Sequence, residues 1–309
     1  MHNKVDVIIP VYRPTQRFLK LLEMLDKQTR KADKIILINT EQKYFDELTE
    51  GKNLIDQYRN LVIRHITKEE FDHGRTRNLG VSLSDSPFFI MMTDDAQPVD
   101  EHLIERLLAP FEQEQIGMSY ARQLPDRNCG IIEGFTRSFN YPDTSVVKSA
   151  KELPEKGIKT FFASNVCAAY RKKIFQDLGG FVDHTIFNED MIYARRLIDA
   201  GYKIAYVADA CIEHSHNYSG VQQFKRNFDL GVSHAMYPEI FSGLSTESEG
   251  IRLVKMTCAY LVRKRKPHLI LKLVWQSGCK YVGYFLGKRY RKLPKRLVRQ
   301  FSMNRSYWQ

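Results

Sequence analysis

The chain has 309 residues, 43% hydrophobic and 27% charged, which is an ordinary globular composition with material for one large domain and an appendage; it holds no repeat and no low-complexity segment. The net charge of +11 is uneven: residues 251–309 hold 16 of the 47 Lys and Arg and no Asp or Glu, leaving 31 basic against 36 acidic residues before them. The body is therefore mildly acidic and gives no support to a nucleic-acid partner, and five cysteines without a C-x-x-C spacing point to reduced thiols in a cytoplasmic setting rather than a disulfide framework.

In chain order, residues 5–10 read as a buried strand and 15–30 as a helix, with Phe18, Leu19, Leu21, Leu22 and Leu25 at helical spacing. The amino end runs straight into that first strand, with no signal-like segment, and no stretch approaches 18 uninterrupted apolar residues, so the chain is expected to stay inside the cell. Strands follow at 34–38, 60–66, 88–92 and 116–120, with a helical piece at 73–84, and this alternation predicts an α/β fold with a mainly parallel sheet. Residues 121–157, rich in Pro, Gly and Asn, read as a long functional loop. An apolar run at 161–170, a helix at 189–200 ended by Gly201, and two short strands at 204–208 and 210–213 complete the body.

Four places carry chemistry. The apolar run 88–92 ends in Thr93, Asp94 and Asp95, at the carboxyl end of a strand, where open α/β sheets keep their ligands. Adjacent carboxylates repel each other, so a cation is expected there, most simply a hard divalent ion; the same pair can instead cap a helix beginning near Asp100. The stretch from Phe71 to Gly80 is a helix entrance bearing His73, Arg75 and Arg77, which could receive a diphosphate on its free N–H groups or be a solvated turn. Glu189 and Asp190 precede an apolar helix, and Glu189 reads as a helix cap. Finally, alternation puts His214 and His216 on one face of a strand end, able to bind a metal or to stand as a solvated pair.

Together these pieces resemble the large inverting glycosyltransferase family built on the GT-A fold. The likeness rests on Val7-Ile8-Ile9-Pro10-Val11-Tyr12, the Asp94-Asp95 step, the Glu189-Asp190 pair and a His 24 residues later. Phe71-Asp72-His73-Gly74 with Thr76-Arg77-Asn78-Leu79-Gly80, Thr93-x-Asp95-Ala96-x-Pro98 and His214-Ser215-His216-Asn217-Tyr218 are similar to its bacterial rhamnosyltransferase branch, including the enzymes that build streptococcal polyrhamnose. The resemblance covers roughly residues 4–235 and departs where many relatives place an Asp for the nucleobase: here stand Asn39, Thr40 and Glu41, with Glu41 the expected substitute.

The resemblance implies a nucleotide-sugar half over residues 1–120 and an acceptor half over 121–235, and the charge and periodicity of the remainder read as a basic amphipathic helical region over 236–309. The resemblance also implies rhamnosyl transfer from dTDP-L-rhamnose to a hydroxyl of a lipid-linked saccharide, with inversion. Asp190 would be the general base, and Asp95 with His214 or His216 would hold Mn²⁺ or Mg²⁺. Pro10, Val11, Tyr12, Glu41, His73, Arg75, Arg77 and Asp94 would bind the nucleotide sugar. A transferase for another hexose or N-acetylhexosamine is the nearest alternative, and a non-catalytic membrane adaptor the more distant one. In the tail, residues 253–261 and 269–285 show helical periodicity between basic clusters, with Trp and Tyr interleaved. That pattern suits the surface of an anionic bilayer at the inner face of the cell membrane; packing on the body or a homodimer contact would use the same apolar faces.

Overall fold

The computed structural model describes residues 4–243 and 246–308. The apolar runs at 5–11, 35–40 and 88–92 become strands buried on both faces, as parallel sheets covered by helices require, while the run at 61–66 becomes an edge strand that leaves Arg64 exposed. Thus β1 (Val5–Tyr12) carries Val7, Ile8 and Ile9 without solvent exposure, flanked by β2 (Lys34–Thr40), β3 (Leu61–Ile66) and β4 (Phe88–Met92). Between them lie α1 (Gln16–Asp26), whose Phe18, Leu21, Leu22 and Leu25 are buried and whose first turn is capped by Thr15, then α2 (Gln42–Thr49) and α3 (His73–Ser82). After β4 come β5 (Gln97–Pro98), α4 (Leu103–Leu108), β6 (Ile116–Leu124), α5 (Ile131–Asn140), β7 (Val146–Lys148) and β8 (Cys167–Arg171). The remainder is α6 (Glu189–Asp199), β9 (Lys203–Glu213), α7 (Gly220–Met236), α8 (Thr246–Arg263), α9 (Leu269–Gly287) and α10 (Lys295–Phe301).

The sheet runs β3-β2-β1-β4-β8-β6-β9-β5, with β7 on β9. The strands β3, β2, β1 and β4 are parallel, β8 inserts antiparallel to both β4 and β6, and β6 and β9 are again parallel. Two expectations are corrected here. The span 121–157 is not one loop but the end of β6, the helix α5 and the strand β7, and the two strands expected after Gly201 are one strand, β9. Its pairing with β6 slips between Ala121–Val207 and Arg122–Cys211, so the chain bulges at Ala208-Asp209-Ala210 and continues.

Two compact units interleave along the sequence. The first comprises residues 4–124, 141–184 and 189–214 and contains the whole sheet. The second comprises 125–140, 185–188 and the described residues from 215 onward. Within the second unit α7 and α9 run in the same direction with their backbones close together. A Cβ at Gly283 would meet the Phe224 carbonyl oxygen at 2.2 Å, and one at Gly287 the Phe228 carbonyl oxygen at 2.1 Å. Phe135 of α5 stacks on Tyr260 of α8, with ring centroids 4.6 Å apart. Among the described residues no helix is long and apolar enough to cross a membrane.

Candidate active site

The carboxyl ends of β1 and β4 are neighbours in the parallel sheet, and the step after β4 places two carboxylates there. Asp94 accepts a hydrogen bond from the Tyr12 amide (3.4 Å), and its pKa is pushed up to about 7, first by burial and then by the charge of Asp95. Asp95 faces the end of β9, where its Oδ2 lies 3.5 Å from Nε2 of the buried His214. His214 Nδ1 is 3.1 Å from Gln123 Oε1, while the Gln123 amide nitrogen donates to Ser164 Oγ (3.0 Å). With Gln123 Oε1 as acceptor the proton lies on Nδ1, and in the neutral imidazole Nε2 then offers its lone pair toward the Asp95 carboxylate. Two electron-pair donors pointed at one another repel unless a cation lies between them, and an imidazole whose other nitrogen is fixed by an amide oxygen is how proteins orient a metal ligand. The donor set therefore fits a divalent ion. His216, two residues on, belongs to the second unit and stacks on Tyr218 (5.0 Å between centroids).

Arg17, which sequence reasoning does not single out, ties the two ligand-bearing strand ends together. Its Nε donates to the Asp95 carbonyl (2.7 Å) and an Nη to the Glu213 carbonyl (3.1 Å). It sits on the first turn of α1, at i+2 from the Thr15 cap, and nothing local marks it.

The second acidic pair is also built from distant residues. Glu189 and Asp190 open α6, and one residue, Asn165, serves both. Its backbone N–H donates to Asp190 Oδ2 (2.9 Å), and its side-chain amide donates to Glu189 Oε1 (3.0 Å). Asp190 Oδ1 accepts from the Met191 amide (2.8 Å), so each of its oxygens is held. Glu189 is not a solvated cap: it is 6% exposed and lies 3.3 Å from the buried Arg77 guanidinium. Burial works against its charge, but Arg77 and His73 outweigh it and keep the carboxyl below its ordinary range. The pKa of Asp190 moves the other way, up to about 7, from burial first and Glu189 second. A carboxylate poised near neutrality can take up a proton from a hydroxyl as that hydroxyl becomes a nucleophile.

The helix entrance at 71–80 differs from its reading as an open anion site. The amides of Gly74 and Arg75 donate to Asp72 Oδ1, both at 3.0 Å, and the His184 amide joins them at 3.2 Å. Arg77 is turned to Glu189 and the His73 carbonyl, and Arg75 donates to the Glu70 carbonyl from an exposed position. The glycine of this motif has a steric reason: a Cβ on Gly74 would stand 1.8 Å from the Val182 carbonyl oxygen. At the end of β1, Pro10 is half-buried, Val11 is buried and Tyr12 is 41% exposed, its ring meeting Tyr44 edge-on at 5.9 Å. Arg13 covers Tyr44 at 4.6 Å and donates to its hydroxyl. Glu41, with φ of 65°, accepts from the Lys68 amide (2.9 Å). Asn39 is fully buried against His65 (2.9 Å), and its Oδ1 has no hydrogen bond from any described residue.

The fold matches solved sugar-nucleotide transferases. The mannosyltransferase PcManGT from Pyrobaculum calidifontis, in complex with GDP-Man and Mn²⁺, superposes with a TM-score of 0.57 at 11% identity, over 100% of this chain and 85% of that one. S. aureus TarS 1-349 in complex with UDP-GlcNAc does so with 0.56 at 16% identity, over 97% and 84%. These define the fold as GT-A. In sequence, Glycosyl transferase family 2 matches residues 6–179. The chain is 39% identical over 309 residues to the O-antigen chain rhamnosyltransferase RfbN of Salmonella typhimurium, covering 99% of this chain and 96% of the relative. It is 38% identical over 307 residues to the O-antigen chain rhamnosyltransferase WbaN of Salmonella anatum, covering 98% and 95%. The chain belongs to glycosyl transferase family 2 and is a glycosyltransferase.

Proposed function

We propose that the enzyme transfers L-rhamnose from dTDP-L-rhamnose to a hydroxyl of a lipid-linked saccharide, with inversion, during assembly of a surface polysaccharide. The two rhamnosyltransferase relatives, similar over nearly their whole lengths, support the sugar. The observation that carries the mechanism is the pair of acidic centres in one unit: Asp95 with His214, and Asp190 held on Asn165. Asp95 and His214 would hold Mn²⁺ or Mg²⁺, the imidazole favouring Mn²⁺. Such an ion supplies positive charge to the diphosphate as it leaves.

The chain's own residues do the rest. Asp190 removes the proton of the acceptor hydroxyl while its oxygen bonds to the anomeric carbon and the bond to the diphosphate breaks on the opposite face. Arg77 and Asn165 keep Glu189 ionised and place Asp190. Tyr12, set edge-on against Tyr44 and its Arg13 cover, with Pro10, Val11 and Asn39 behind it, lines the base. Asp94 takes the ribose, and His73, Arg75 and Glu41 border the donor. The exposed stripe of α9, with Leu271 at 80% and Trp275 at 65% exposure beside the basic tail, would rest on an anionic membrane at its cytoplasmic face. Pairing of two copies through the same helices is the competing use of that stripe.

A donor screen tests this reading. The enzyme is incubated with dTDP-L-rhamnose, GDP-mannose, UDP-glucose and UDP-N-acetylglucosamine, each with a lipid-linked saccharide, with Mn²⁺ or with EDTA. Release of dTDP alone, dependent on acceptor and metal, is expected. Preference for another donor would overturn the rhamnose assignment, and full activity in EDTA would overturn the metal.

A further inference from the structure

The second unit contains a cavity of about 300 Å³ that the reaction described so far does not use. One wall is a single face of α9, where Leu269, Lys272, Gln276 and Lys280 recur at helical spacing. The opposite wall is α5, through Glu133 and Thr136, and the third is the segment at His216. The walls are fixed by hydrogen bonds to backbone. The Gly130 amide donates to Asn217 Oδ1 (2.8 Å), Asn217 Nδ2 donates to the Asn128 carbonyl (2.8 Å), and Gln276 Nε2 donates to the Tyr218 carbonyl (3.1 Å).

The charges of this cavity do not balance. Lys280 is half-buried and, among the described residues, has no hydrogen bond or ion pair. Glu133, the acid on the wall, is committed to Arg137 at 2.8 Å. Burial disfavours the Lys280 ammonium, and Glu133 only partly offsets this. A cation set into a cavity without a bonded counter-charge costs free energy that an anionic ligand would recover through charge-assisted hydrogen bonds. Lys272 and the amide of Gln276 add donors beside it, and the volume lies at the small end of the roughly 300–1,000 Å³ common for small-molecule sites. Around the helix from this basic face, α9 exposes Leu271, Trp275, Val282 and Phe285. An anion seat next to an apolar stripe matches a ligand that is itself phosphate joined to hydrocarbon.

We propose that the Lys272–Gln276–Lys280 pocket binds a phosphate group, and that it holds the phosphate linking the acceptor saccharide to its lipid. The second half of this assignment rests on the acceptor reading above; the first half does not. The test uses the full-length protein in EDTA, titrated calorimetrically with inorganic diphosphate. Wild type and Lys280→Arg should bind, and Lys280→Met and Lys272→Glu should bind at least tenfold more weakly with unchanged thermal unfolding. With lipid-linked acceptor, Lys280→Met should raise the acceptor KM at least tenfold while the donor KM and kcat hold, and diphosphate should compete with that acceptor. Equal diphosphate binding by wild type and Lys280→Met, or none by wild type, overturns the site. Diphosphate binding through Lys280 that the lipid-linked acceptor does not displace overturns the acceptor assignment and leaves a free phosphate as the ligand. A protein that binds diphosphate through Lys280 but transfers no rhamnose fails the reaction reading alone.

Discussion

Replacing Glu189 by Gln removes one charge from beside the proposed base without emptying its place. The pKa of Asp190 stands near 7 instead of 3.8, and the causes are burial first and the Glu189 carboxylate second. The substituted amide would keep the hydrogen bond to the Asn165 side chain but would not repel Asp190, so the burial contribution remains and the like-charge contribution goes. A base must be ionised to work, so activity is lost as pH falls through its pKa. Lowering that pKa moves the acid limb of the rate profile to lower pH. Removing the like charge takes away one of the two causes that raise this pKa, so the limb is expected to move down by about one unit, which is about 1.4 kcal/mol and tenfold in rate on the acid limb. Above pH 8, where both forms are ionised, the gain disappears. The same substitution leaves Arg77 buried without its counter-charge, and breaking a buried pair costs about 3–5 kcal/mol, so unfolding must be followed in parallel. Initial rates of nucleotide release between pH 5 and 9 give the limb. A limb that stays put, or rises, in a variant that remains folded would refute Asp190 as the titrating base.

The direct counterpart is Asp190→Asn, expected to lose about 10²–10⁴-fold in kcat with little change in donor affinity; retention of most of the rate would exclude it as base. Asp95→Ala should abolish the dependence of nucleotide binding on Mn²⁺, and Gln123→Leu, which frees the His214 tautomer, should weaken metal binding about 10–100-fold. Equal Mn²⁺ titrations in wild type and Gln123→Leu would refute the oriented imidazole. Gly74→Ala forces a methyl into the Val182 carbonyl, and a loss of about 1–3 kcal/mol or more is expected in denaturant unfolding; an unchanged midpoint would mean that the 182 segment yields freely. Leu271→Glu together with Trp275→Glu should release the protein from phosphatidylglycerol vesicles at low salt while its fold is kept, and unchanged binding would remove α9 from the membrane surface.

The strands are legible in the sequence because parallel strands covered on both faces are short continuous apolar runs, and 34–38 and 88–92 are little else. The acids are legible for a related reason: Asp94, Asp95 and Asp190 break apolar patterns at their ends, where a charge has to have a purpose. The residues that orient them are not. Arg17 reaches across 78 and 196 residues of sequence, and Gln123 and Asn165 are ordinary amides whose partners the fold supplies. Glu189 reads as a cap because its countercharge, Arg77, sits on another helix. The helix α5 has a readable signal in Ile131, Phe135 and Phe139, but its cover is Tyr260 in α8, more than a hundred residues on, so the local composition reads as loop.

The glycines of α7 and α9 show why the second unit resists prediction in detail. Gly in a helix interior costs roughly 1 kcal/mol against Ala, so Gly231, Gly283 and Gly287 weaken the helical signal one helix at a time. In the pair they remove the Cβ atoms that would collide: Gly231 would place one 2.4 Å from the Tyr284 carbonyl oxygen, and Gly283 and Gly287 do the same to Phe224 and Phe228. Close approach of the two helices fixes how α9 is rotated about its axis. That rotation decides which of its residues face the cavity and which face solvent. Gly283 and Gly287 continue the same stripe of α9 as Leu269, Lys272, Gln276 and Lys280, so their close approach to α7 turns the two lysines toward the cavity and leaves Leu271 and Trp275 on the other side of the helix. The phosphate seat and the apolar stripe are thus set by the same packing, and a substitution such as Gly283→Val that rolls α9 should disturb both together, whereas Lys280→Met should disturb only one.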